Sequence, residues 1–266
     1  MRKLEKEEVK KIQLRILKNL VSHCEEYNYR YYLAYGTLLG AIRHNGFIPW
    51  DDDIDLLIPR PDYEKLLETY NADGRIISHN SDGDYLYPFG KVVANNTIIE
   101  EDLGIKYENL GVYIDVFPID GLPHNKSEQV SVIKKIKFYR NLLDAKLIKI
   151  CKNRSIAKNI LLILTKAFAL PINYRKLIKN IDKEAQRYNY DMSEEVGCIV
   201  WGYGSKEIMD RKIFDGYSNL NFEGYNLKGP IGYHTFLTQI YGDYMELPPK
   251  EKRTTHHNYV AYFIER

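Results

Sequence analysis

The stretch "PWDDDIDLLIP", residues 49–59, places four carboxylates in five positions and runs straight into apolar residues. The apolar part reads as a buried strand, so the fold has to satisfy a local negative charge at the strand's mouth. If residues 51–58 are extended, Asp51, Asp53 and Asp55 project to one face, while Asp52, Ile54, Leu56 and Ile58 project to the other. Side chains two apart on a strand stand ~6.5–7 Å apart at the backbone, so Asp53 and Asp55 can converge on one small oxygen-seeking ion such as Mg²⁺. Two carboxylates held ~4 Å apart without a cation repel by roughly 4 kcal/mol at a surface-like dielectric, which raises one pKa and loosens the strand. A solvated acidic turn is the competing reading of the same residues, and the flanking sequence weighs against it.

Upstream, apolar residues at Val9, Ile12, Ile16, Leu20 and Val21 predict an amphipathic helix over 4–27. "YRYYLAYG" (29–36) reads as a short aromatic strand stopping at Gly36, and "TLLGAIRH" (37–44) as a helix. At that helix start, free backbone N–H groups, the positive helix end and the Thr37 hydroxyl favour a phosphate oxygen beside Gly36. Downstream, "RPDYEKLLETY" predicts a helix, "RIISHN" and "YPFGKVVANNTIIEED" predict strands, and "GVYIDVFPIDGLP" predicts a buried strand ending at Pro118. Asp115 interrupts that last apolar run, and a buried carboxylate needs a cation, a partner or a proton. A salt bridge to a core Arg or Lys is the alternative to a functional role.

These elements predict an α/β (α+β) architecture, a mixed β-sheet core flanked by helices over 1–125. Residues 126–190 form a basic helical lobe, with 15 Lys/Arg against 3 Asp/Glu between Val132 and Arg187. Within it, "IAKNILLILTKAFALPI" (156–172) is interrupted by Lys158 and Lys166 and closed by Pro171 short of membrane-spanning length, and reads as a buried helix rather than an interfacial one. Residues 191–266 read as loops and short helices that complete a cleft. A net charge of +2 gives no global polyanion signature, so nucleic acid is not an expected partner. Three widely spaced cysteines and a charged N-terminus without an apolar stretch lead us to expect a reduced, cytoplasmic setting.

The segment "YGTLLGAIRHNGFIPWDDDIDLLIPRPDYEKL" closely resembles the hallmark of the LicD family of phosphotransferases, and the pattern resurfaces in "YIDVFPIDG" and "YGDYMELPPKEKR". That family is similar to the nucleotidyltransferase superfamily, with a mixed sheet flanked by helices, a Gly-Ser or Gly-Thr turn, an Asp-x-Asp strand and a third acid. The resemblance implies Mg²⁺-dependent (or Mn²⁺-dependent) transfer of a phospho-alcohol, phosphocholine from CDP-choline being favoured. The acceptor is a hydroxyl of a cell-surface glycan, a teichoic acid precursor or a lipid-linked oligosaccharide, and CMP is released; related members use ribitol phosphate or other polyol phosphates. It implies Asp53, Asp55 and Asp115 as catalytic acids, with Asp51 helping to hold metal and Asp115 serving as second-ion ligand or proton acceptor. Gly36 and Thr37 would touch phosphate oxygens, Arg43 and Lys91 would face the nucleotide, and Arg253 and His256 would close the site from the tail. A choline head group would want aromatic walls, for which Tyr35, Tyr85, Tyr87 and Trp201 are candidates. The basic lobe could also dock the enzyme peripherally on the inner membrane leaflet near a lipid-linked acceptor.

Three other readings use the same residues. A metal-dependent glycosyltransferase also carries an Asp-x-Asp pair, but it needs several β–α units before it, and only one helix and one short strand precede Asp53. A nucleotidyltransferase making an NDP-alcohol shares the acid triad and releases pyrophosphate. A non-enzymatic membrane-surface protein would use the basic lobe alone.

Overall fold

The computed structural model describes residues 1–150, 155–255 and 259–264; His256 and Cys151 lie outside them. After a two-residue strand β1 (Arg2–Lys3), helix α1 runs Lys6–Glu26. Its start is closed by the Glu8 carboxylate, which accepts the Glu5 N–H at 2.9 Å, and it buries Val9, Ile16, Leu17, Leu20 and Val21 along one face. Next come β2 (Tyr32–Leu33), α2 (Tyr35–His44), β3 (Asp55–Pro59) and α3 (Arg60–Thr69). β4 (Arg75–Ile77), β5 (Gly90–Val93), β6 (Thr97–Glu101) and β7 (Tyr113–Gly121) follow.

The main sheet has the order β2-β3-β7-β5-β4, with β3 and β7 parallel and the other pairs antiparallel, so the expected mixed α/β core is present. Every residue of β3 and β7 is buried, as befits central strands covered on both faces. β7 does not stop at Pro118 as expected but continues to Gly121. The Asp115 N–H points to β3, donating to the Ile54 carbonyl, so by alternation position 118 faces the opposite edge. There β5 ends opposite Val116 and the next strand begins opposite Asp120, so no ladder bond is asked of the proline nitrogen.

The lobe consists of α4 (Lys126–Leu147), α5 (Ile156–Ala169) and α6 (Tyr174–Ala185). A buried ion cluster ties it to the core: Arg60 donates to Asp120 of β7 at 2.6 and 3.0 Å and to Asp182 of α6 at 3.0 Å. α5 departs from expectation. Only Leu162 and Ala169 are buried, and the rest of its apolar residues face outward.

Residues beyond 191, expected as loops and short helices, also contain five strands: β8 (Glu195–Gly197), β9 (Met209–Asp210), the hairpin β10 (Tyr217–Phe222) with β11 (Tyr225–Pro230), and β12 (Tyr259–Phe263). α7 (Tyr233–Tyr241) precedes β12. β8 extends the main sheet alongside β7, and β12 is sandwiched between β1 and β6. Such partners lie far away in sequence, and the strands are short and half exposed, so local patterning shows them poorly.

Candidate active site

A cavity of about 850 Å³ opens over the start of β3 and the middle of β7. Register places three charged residues in one row across the sheet: Asp55 on β3 pairs with Asp115 on β7, which pairs with Lys91 on β5. Paired residues in a sheet share a face, so all three side chains point into the cavity, which they line.

Lys91 donates to Asp115 Oδ1 at 2.5 Å, and its ammonium lies 3.5 Å from the centre of the Tyr113 ring and 5.0 Å from that of Tyr87. Lys91, expected near the nucleotide, is thus the counter-ion of Asp115, and the core salt bridge weighed for Asp115 is present. Asp55 is differently placed. Burial first, then the charges of Asp53, Asp115 and Asp51, push its carboxyl well above the usual range, while Lys91 opposes this.

β3 begins only at Asp55, so the strand expected from residue 51 is not formed over 51–54. The carboxylates of Asp51, Asp52 and Asp53 instead come within 4.8 Å of one another, close enough to share one ion. Asp52 belongs to this cluster, yet it does not line the cavity that Asp51, Asp53 and Asp55 line, in keeping with its assignment to the opposite face from sequence.

The first turn of α2 supports the cluster. Tyr35 holds φ +42°, in the left-handed region that a bulky residue rarely adopts. Its hydroxyl donates to buried Glu207, and its ring packs against Phe117 and Phe236, contacts that hold it there. A Cβ at Gly36 would collide with Asp51 Oδ2, so the glycine makes room for that carboxylate. Thr37, expected on a phosphate, is buried and turned inward, its hydroxyl oxygen accepting the Asp55 N–H at 2.9 Å; it positions the start of β3 and does not line the cavity.

Arg43 lines the cavity, donates to the Tyr244 carbonyl at 2.8 Å, and keeps a buried Nε without a hydrogen-bond partner among the described residues. Arg253 does not itself line the cavity but braces two residues that do: its Nε donates to the Pro248 carbonyl at 2.8 Å and its guanidinium covers Trp50, while the neighbouring Lys252 faces the cavity. His256 lies outside the described residues.

Of the four aromatic residues considered for a cage, Tyr35, Tyr87 and Trp201 line the cavity and Tyr85 does not. Two of these rings already carry the protein's own cations, Lys91 over Tyr87 at 5.0 Å and Arg140 over Trp201 at 4.6 Å. Tyr203 and Tyr241, which sequence reasoning did not single out, add an edge-to-face pair at 5.9 Å to the lining. Tyr241 and the nearby Asp243, Glu246 and Lys252 belong to the "YGDYMELPPKEKR" segment, the signal by which they could have been found. Among the described lining residues there are seven carboxylates and three cations (Arg43, Lys91 and Lys252), so the cavity favours positively charged occupants.

The family model described as "LicD/FKTN/FKRP, nucleotidyltransferase domain" matches residues 28–144, which hold all the acids from Asp51 to Asp115. Over 99% of its length the chain is 31% identical to the whole of "Lipopolysaccharide cholinephosphotransferase LicD" of Haemophilus influenzae. The chain belongs to the LicD family of phosphotransferases. Two shorter likenesses are to uncharacterized proteins of Rickettsia: 43% identity over 56 residues in R. typhi (20% of this chain, 18% of that protein), and 28% over 116 residues in R. prowazekii (42% and 41%). The full-length LicD relative also spans the segments that supply Trp201, Tyr203, Tyr241 and Lys252, beyond the family model's match.

Proposed function

We propose that this enzyme transfers phosphocholine from CDP-choline to a hydroxyl of lipopolysaccharide or a related cell-surface glycan, releasing CMP. The observation that carries this reading is the make-up of one cavity: clustered carboxylates on one side, and aromatic rings with further acids on the others. A quaternary ammonium cannot donate a hydrogen bond and is held by ring faces and negative charge, both of which line this cavity. The name of the full-length relative points the same way.

The oxygen-only cluster of Asp51, Asp52 and Asp53 suits a hard divalent cation, and the crowding of charge on the neighbouring Asp55 would be relieved by one. Mg²⁺ held there supplies charge neutralisation to the donor pyrophosphate and the leaving CMP. Arg43, which lines the cavity, offers its positive charge to a donor phosphate oxygen. Gly36 lets the start of α2 approach the same phosphates while keeping Asp51 in place. Asp115, held by Lys91 through one oxygen, takes the proton of the acceptor hydroxyl as its oxygen attacks the phosphocholine phosphorus. The bond from that phosphorus to the bridging oxygen breaks, and CMP departs with the electron pair.

A donor screen with Mg²⁺ and a glycan acceptor, scoring CMP, tests the proposal. CMP release with CDP-choline and not with CDP-ribitol is the expected result. Release only with CDP-ribitol, or pyrophosphate formed from CTP and phosphocholine, would overturn it.

A further inference from the structure

The apolar face of α5 points away from the protein. At 100° per residue, Ile156, Ile160, Ile163 and Leu164 form one stripe at spacings of four, seven and eight, and they are 79, 53, 48 and 63% exposed. Phe168 flanks the stripe and is 63% exposed. The opposite side carries Leu162 and Ala169, which are buried, together with Lys158 and Lys166. An amphipathic helix in a water-soluble lobe normally turns this stripe inward. Here the stripe faces out, and an exposed apolar patch of this kind marks an interaction site.

The charge of the lobe selects the partner. The lobe's excess of basic residues is presented to solvent, with Lys134, Lys137, Lys158, Lys176, Lys179 and Lys183 all exposed. Of its acids only Glu128 is exposed: Asp182 pairs with Arg60, Glu184 is buried against Lys135 and Arg187, and Asp144 is only partly exposed. A second copy would bring the same positive lobe against this one, whereas an anionic surface with an apolar interior complements both features.

We infer that α5 is a membrane-docking helix that lies in the headgroup region of an anionic phospholipid bilayer with its Ile156–Leu164 stripe and Phe168 inserted. It lies on the bilayer and does not cross it. Its 14 residues reach only ~21 Å against a hydrocarbon core of ~30 Å. Among the described residues no single helix is long and apolar enough to cross, and α6 turns away at 91° and buries Leu177, Ile178 and Ile181. The lobe also touches the strand that lines the cavity: Lys149, just after α4, pairs with Asp102, the neighbour of the cavity-lining Glu101.

Vesicle flotation of the full chain tests this without reference to donor or turnover. Wild type is expected to float with phosphatidylcholine–phosphatidylglycerol vesicles and far less with phosphatidylcholine alone. The Ile160→Gln/Leu164→Gln/Phe168→Gln variant changes only exposed side chains, so it should melt like wild type yet lose binding on the order of tenfold or more. Leu164→Trp should shift its emission to the blue on adding the anionic vesicles. No flotation of wild type, equal flotation of the triple variant, or an unshifted emission would overturn the inference. So would a wild-type dimer in sedimentation that the triple variant dissolves, which would assign the face to a second copy.

Discussion

Asp55 and Asp115 are register partners on the parallel strands β3 and β7, although 60 positions separate them in the chain. Adjacent strands are ~4.8 Å apart, so the sheet itself sets two carboxylates side by side at the floor of the cavity. Lys91, in register on the far side of Asp115, neutralises one of them and leaves Asp55 with its acidic neighbours. The site is thus built to hold surplus negative charge on one side and balanced charge on the other.

Asp53→Asn and Asp55→Asn should each lower CMP release by on the order of 10³ or more, since each removes charge aimed at the donor phosphates. Both variants should unfold in EDTA at the same temperature as wild type or higher, because like-charge crowding is relieved. Thermal melts with chelator, run beside the activity assay, check both halves.

Lys91→Met leaves the Asp115 carboxylate buried without its partner and should cost ~3–5 kcal/mol. Lys91→Met/Asp115→Asn should recover most of that stability and none of the activity. Urea unfolding of the two single variants and the double variant measures the coupling.

Gly36→Ala should fold, because the group it meets is the end of a side chain, the Asp51 carboxylate. Displacing that carboxylate should lower turnover by ~10-fold or more and weaken the response to Mg²⁺. A Mg²⁺ titration of CMP release, compared with wild type, reads this directly.

Burial pushes the Glu207 carboxyl from 4.5 up to about 8, against the hydrogen bonds it accepts from the Tyr35 hydroxyl and the Tyr203 N–H, which pull it down. The folded state therefore holds its proton more tightly than the unfolded state. The resulting stability is fully present below about pH 4.5 and is lost as pH rises through about 8. Urea midpoints should fall between these limits, and Glu207→Gln should flatten that slope.

Fold class was legible because β3 and β7 are apolar runs long enough to be central strands, and the acids at their ends stand out against them. What the sequence hides is pairing at a distance. The partnership of Lys91 and Asp115 depends on how β5 registers against β7, and β12 finds β6 and β1 from the other end of the chain. Periodicity identified α5 as a helix but could not say which side faces the protein, since an apolar stripe looks the same turned in or out. The grouping of Asp51, Asp53 and Asp55 on the cavity was legible from alternation although the strand itself begins only at Asp55, and the approach of Asp52 to Asp51 and Asp53 was not.

Calorimetric titration of CDP-choline into the protein, with Mg²⁺ and with EDTA, addresses the joint role of the carboxylates most directly. The account predicts binding that needs Mg²⁺ in wild type and is lost in Asp53→Asn. Equal affinity in EDTA, or an undiminished Mg²⁺-dependent affinity in Asp53→Asn, would contradict it.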